Sequence, residues 1–138
     1  MNSLPDLVFR VGRPCEELRY AIRSLTELVP HGRVWTAGVR TPWLTCQHID
    51  VPREAGQGRY AHAYAVLRAI LADDRLTPTI VLADDDMFAL GPVTTLSYSR
   101  GPLGDVDPGS RRRGHRDTRI ATGVSTPCRD LHVPRLVD

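Results

Sequence analysis

The sequence predicts an α/β domain of three layers, a mostly parallel sheet with flanking helices. Three observations predict it. Strand and helix signals alternate through the first ninety residues. Two segments carry apolar residues at helical spacing. The run "TIVLA" (79–83) is apolar throughout, the pattern of a strand buried on both faces of a parallel sheet. That run is expected at the centre of the sheet.

The elements follow in order. "DLVFRVG" (6–12) reads as a short strand that ends at a glycine. "CEELRYAIRSLTELV" (15–29) reads as a helix, with Leu18, Ala21, Ile22, Leu25 and Leu28 on one face. Pro14 ahead of it, and Glu16 and Glu17 in its first turn, suit a helix start. "VWTAG" (34–38) is the second strand and "CQHIDVP" (46–52) the third, stopped by Pro52. After the loop "REAGQG" (53–58) comes a second helix, "RYAHAYAVLRAILADDR" (59–75). Its apolar face is read as Tyr60, Tyr64, Leu67 and Leu71, spaced i, i+4, i+7, i+11. "TPTIVLA" (77–83) closes the pattern as a buried strand. Beyond Leu90 only 93–98 offers a modest strand signal. Residues 101–138 mix glycine, proline and a basic cluster, and are expected to be weakly structured.

Composition narrows the function classes. At 138 residues the chain is large enough for one core. A net charge of +2 makes no global demand for nucleic acid or an anionic membrane. The arginine run 111–113 lacks the interleaved aromatics that stack bases, so it reads as a solvated patch rather than a nucleic-acid site. No apolar stretch approaches the roughly 20 residues of a membrane span. Cys15, Cys46 and Cys128 are odd in number and lack zinc-ligand spacing, which fits a reduced, cytoplasmic setting. Lysine is absent and every permanently charged basic side chain is arginine, so no mechanism that needs lysine is available. That absence, with an acidic triplet so late in the chain, also sets aside a phospho-acceptor receiver domain.

The chemistry-bearing feature is Asp84, Asp85 and Asp86, placed where the strongest buried-strand signal stops. In extended chain, residues i and i+2 point the same way, so Asp84 and Asp86 can converge on one cation. Asp85 then faces elsewhere or meets a ligand hydroxyl. Hard carboxylate oxygens select magnesium or manganese, held together with substrate phosphates. An acidic turn capping the next segment would leave the same pattern.

"RYAHAYAVLRAI" (59–70) and "TIVLADDDMFAL" (79–90) resemble the helix, strand and Asp-x-Asp segment of nucleotide-sugar-dependent glycosyltransferases of the GT-A fold. More narrowly, "EELRYAIRSL", "HGRVWTAG", "SYSRGPL" and "LHVP" resemble a bacterial and phage group of glycosyltransferases related to the Stealth-type capsular polysaccharide transferases. The resemblance implies a nucleotide-sugar-binding half over 1–100, with 101–138 the remnant of a truncated acceptor region. It implies that Val11, Gly12 and Arg13 line the nucleotide pocket and that Arg59 and Tyr60 approach the donor. Asp84 and Asp86 would hold Mn²⁺ or Mg²⁺ on the diphosphate, with His132 as a third ligand. The implied partners are a nucleoside diphosphate-sugar donor and a glycan or cell-surface acceptor. A non-catalytic remnant that binds nucleotide or glycan, and a sugar-phosphate transferase, are the alternatives.

Overall fold

The computed structural model describes residues 3–94 and the backbone of 135–137. These belong to one compact unit, Met1–Leu96 with Pro134–Asp138. Apart from 135–137, the C-terminal part expected to be weakly structured lies outside the described residues, as does His132.

The elements are β1 (Asp6–Val11), α1 (Glu16–Leu28), β2 (Val34–Gly38), β3 (Gln47–Asp50), α2 (Arg59–Leu71), β4 (Ile80–Asp84) and β5 (Arg135–Val137). The α/β order read from the sequence is the order observed. The sheet runs β3-β2-β1-β4-β5, with the first four strands parallel and β5 antiparallel to β4. The centre of the sheet is therefore β1, not the strand at 79–83, which lies beside it. Both strands are strongly apolar, and that pattern alone does not rank two neighbouring inner strands. β5 has three residues, too few to show any period. The strand signal at 93–98 gives no strand at Val93 and Thr94, and its remainder is outside the described residues.

Each face of the sheet has its own core. Leu7, Phe9 and Val11 of β1, with Val81 and Ala83 of β4, meet Leu18, Ala21 and Leu25 of α1. Val8, Trp35, Ala37, Ile49 and Ile80 meet Val66 and Ile70 of α2 on the other face. The alternation of side chains along β1 is what divides them. Past β4 the chain runs back beside α1: the Ala89 N–H donates to Ser24 Oγ (3.1 Å) and the Val93 N–H to the Leu28 carbonyl (2.8 Å).

The buried face of α2 is a correction to the sequence reading. His62, Val66 and Ile70 face the sheet, while Tyr60, Tyr64 and Leu71 are 73%, 65% and 68% exposed. Alanines surround this helix, so two apolar stripes compete, and bulk selects the wrong one. The smaller stripe lets α2 approach the sheet closely, and the phenolic hydroxyls stay in water. Tyr64→Ser is accordingly expected to change unfolding free energy by less than about 0.5 kcal/mol. Val66→Ala should cost about 1–3 kcal/mol, read from urea denaturation of both variants.

At the amino ends of the strands sits a buried carboxylate. Asp6 is 1% exposed and accepts from the Arg33 and Thr77 backbone N–H groups (2.9 and 3.2 Å) and from Trp35 Nε1 (3.2 Å). Arg33 adds Nη2 to Oδ2 at 2.8 Å. The guanidinium groups of Arg33 and Arg75 lie 5.3 and 5.1 Å from the Trp35 ring centroid. One acid thus joins β1, β2 and the loop entering β4. Among the described residues no helix is long and apolar enough to cross a membrane.

Candidate functional site

The chain builds outward from β1 to β2 and β3, then crosses back through α2 to place β4 on the other side of β1. Sheet growth reverses at the β1–β4 seam, and α/β sheets take their ligands beyond the carboxyl ends of strands at such a seam. A cleft of about 160 Å³ opens there, on the α2 side. Arg10, Val11 and Gly12 line it from the end of β1, and Asp84 and Asp85 from the end of β4. Arg53 lines it from the loop before α2, and Arg59, His62, Ala63 and Val66 from α2 itself.

Arg10 and Asp84 are register partners on adjacent parallel strands, so their side chains leave the sheet on the same face. Arg10 donates Nε to Asp84 Oδ1 at 2.6 Å and places Nη2 on the same oxygen. Both side chains are more than two-thirds buried. The strand ends at Asp84, and a turn follows in which the Met87 N–H reaches the Asp84 carbonyl (3.3 Å). The alternation assumed for Asp84 and Asp86 stops there. Asp85 is half-buried and lines the cleft near the Gly12 N–H, whereas Asp86 is exposed. Burial pushes the Asp85 carboxyl above its ordinary value; the Gly12 N–H opposes the shift, and the charges of Asp86 and Asp84 add to it.

The other expected residues divide. Val11 and Gly12 line the cleft, and Arg59 stands at its edge on the first turn of α2. Arg13 is exposed and does not line it, and neither does Tyr60. Tyr60 instead holds Arg59: its hydroxyl accepts from Arg59 Nη2 (2.6 Å), and the guanidinium lies 4.7 Å from the ring centroid.

The expected manganese or magnesium ligands are only partly described. Arg10 supplies a positive charge beside Asp84, Asp86 is exposed in the turn, and His132 is outside the described residues. Among the described residues, no three His, Cys, Asp or Glu side chains are grouped so as to hold a metal ion.

Of the cleft residues that escaped the sequence reading, three are charged or polar. Arg10 carried a usable signal, a charge in the interior of "DLVFRV" that must find a partner once the strand is buried. His62 carried little. It is 2% exposed, and its Nε2 donates to the Val51 carbonyl at 2.8 Å, pinning the first turn of α2 to the end of β3. Arg53 carried none; its place depends on a turn in which its Nε donates to the Gln57 carbonyl (3.1 Å) and Gln57 Oε1 accepts the Glu54 N–H (3.1 Å).

Comparison with protein families, with curated proteins and with solved structures returned no match. The class this fold and cleft define is an α/β domain with a charged site at the carboxyl ends of its strands.

Proposed function

We propose that the chain is the donor-binding half of a glycosyltransferase, and that it takes a nucleoside diphosphate-sugar in the cleft beside β1 and β4. One observation carries this reading: arginines and carboxylates meet at the seam where sheet growth reverses, beside the uncapped start of a helix. The three-layer GT-A arrangement belongs to the same proposal. Its support is the helix on each face of the parallel sheet and the acidic turn directly after β4.

The roles follow from position. The cleft is small beside the roughly 300–1,000 Å³ of a typical small-molecule pocket, so it suits the phosphates, with nucleoside and sugar reaching past its rim. Arginines there would stabilise the charge that develops on the departing nucleoside diphosphate. Asp85, half-buried beside Gly12, can accept from a donor hydroxyl. Gly12 leaves open space where a Cβ would stand, so a ligand can approach its backbone.

The test is calorimetric titration of the full chain with UDP, GDP, CDP and ADP and with their glucose conjugates, followed by assay of nucleoside diphosphate release. One base is expected to bind saturably and its sugar conjugate to compete for the same site. Ala63→Trp, which fills the cleft, should abolish binding without lowering the thermal midpoint. Binding of none of these ligands, or binding untouched by Ala63→Trp, would reject the donor site. Binding without release of diphosphate would favour the non-catalytic reading.

A further inference from the structure

We infer that Arg10, Arg53 and Arg59 form a guanidinium clamp that holds the donor diphosphate without a divalent cation, Arg10 standing where that cation would sit beside Asp84. The inference rests on the donor reading of the cleft and specifies how that site neutralises its ligand.

Three observations converge. First, the charge a metal would bring to Asp84 is built into the sheet. Arg10 and Asp84 are cross-strand register partners, and two guanidinium nitrogens meet a single carboxylate oxygen. A guanidinium has five N–H donors, so this pairing leaves others for a phosphate oxygen. Second, two further arginines are braced at the cleft by neighbours that are not acids. The Gln57 carbonyl accepts from Arg53, and the Tyr60 hydroxyl accepts from Arg59. Against Asp84 and Asp85 the three arginines leave a formal surplus of one positive charge. Planar guanidinium groups recognise phosphates in bidentate fashion.

Third, α2 starts against the ordinary rule. A helix amino terminus favours acids and disfavours cations. The first turn of α1 obeys, with Glu16 and Glu17. The first turn of α2 has no acid, its N-cap Gly58 supplies no side-chain hydrogen bond, and Arg59 is its first residue. The same chain thus builds one helix start that repels anions and another that attracts them. The second borders the cleft. A local rule broken at one place in a regular fold marks a place where a ligand supplies what is missing.

The experiment measures binding of inorganic pyrophosphate, and of the four nucleoside diphosphates, to the full chain by calorimetry in EDTA and again in manganese. The clamp predicts binding in EDTA. Arg53→Ala and Arg59→Ala should each weaken it about ten-fold or more, the worth of one charge-assisted contact. Both positions are exposed, so both variants should fold, which unchanged circular dichroism verifies. Asp84→Asn separates the two chemistries by sign. It releases Arg10 from its carboxylate, so the clamp predicts equal or tighter binding in EDTA. Binding that appears only with manganese and vanishes in Asp84→Asn would overturn the clamp and leave the donor site standing. Pyrophosphate binding in EDTA without affinity for any nucleotide would keep the clamp and reject the donor reading. No binding under either condition would reject both.

Discussion

Asp6→Ala is expected to cost about 3–5 kcal/mol of stability, the usual penalty for removing one partner of a buried charged network. The carboxylate itself is fully buried, while Arg33 reaches it from a side chain that is 54% exposed. Solvent screens the Arg33 charge, so the larger loss is in the donors left behind. The Arg33 and Thr77 N–H groups and the Trp35 indole N–H would all lose their acceptor. Asp6→Asn should cost nearly as much, because its amide would turn a donor toward these donors. Domains of this size hold about 5–15 kcal/mol in total, so either variant removes a large share. The same acid sets a pH dependence. Burial would raise its pKa, but the hydrogen bonds from Arg33 and Thr77 and the Arg33 charge together hold it below the ordinary 3.8. A lowered folded pKa gives stability that is complete above the ordinary value and is lost as pH falls through the folded one. Unfolding free energy in urea should therefore decline from about pH 4 downward in the wild type, and decline less in Asp6→Asn. Equal acid limbs for the two proteins would show that other groups drive the loss.

Gly38→Ala is the second large effect, expected at about 2–5 kcal/mol. Gly38 ends β2 at φ +120°, a conformation that side-chain-bearing residues rarely adopt. A Cβ there would also overlap the backbone, 2.2 Å from the Val11 carbonyl oxygen. That carbonyl is not free to move, because it accepts the Val39 N–H at 3.0 Å. Strain and overlap add, and each is typically worth about 1–3 kcal/mol. The displaced atom belongs to the residue before Gly12, so the variant should also weaken ligand binding at the cleft. Gly56→Ala is a control: it too has positive φ, but open space where the Cβ would stand. It should cost only the strain, about 1–2 kcal/mol. Equal destabilisation of the two would remove the overlap argument.

How much of this was legible depends on where each residue draws its constraint. The strands and helices could be read because Phe9, Leu25 and Val81 meet neighbours through the local period of the chain. Strand order could not, because it depends on pairings such as Val8 with Trp35 and Leu82, residues far apart in sequence. The acidic turn was visible in three adjacent letters. Its partner was not, since Arg10 lies 74 residues away and meets Asp84 only through the register of two parallel strands. The face of α2 was misread because tyrosine was weighed as bulk, and His62 was passed over because a histidine gives no sign of being buried. Cleft positions draw on several elements at once, so a single segment shows only part of each.

The central place of β1 has a consequence during synthesis. β1 precedes the other strands in sequence, but its partner on one side, β4, follows only after all the other parallel strands. At about 5–20 residues per second, the 74 residues from Arg10 to Asp84 take roughly 4–15 seconds to make. Through that interval one edge of "DLVFRV" has backbone groups without their final partners, in a segment that combines high apolarity with strand propensity. Its two charges, Asp6 at the first position and Arg10 at the fifth, flank the apolar stretch, a placement that opposes edge-to-edge pairing of apolar strands in general. Both charges are later buried or ion-paired in the finished fold. The same two side chains thus bracket the apolar stretch of the unfinished chain, and in the finished one Asp6 anchors the amino end and Arg10 lines the cleft.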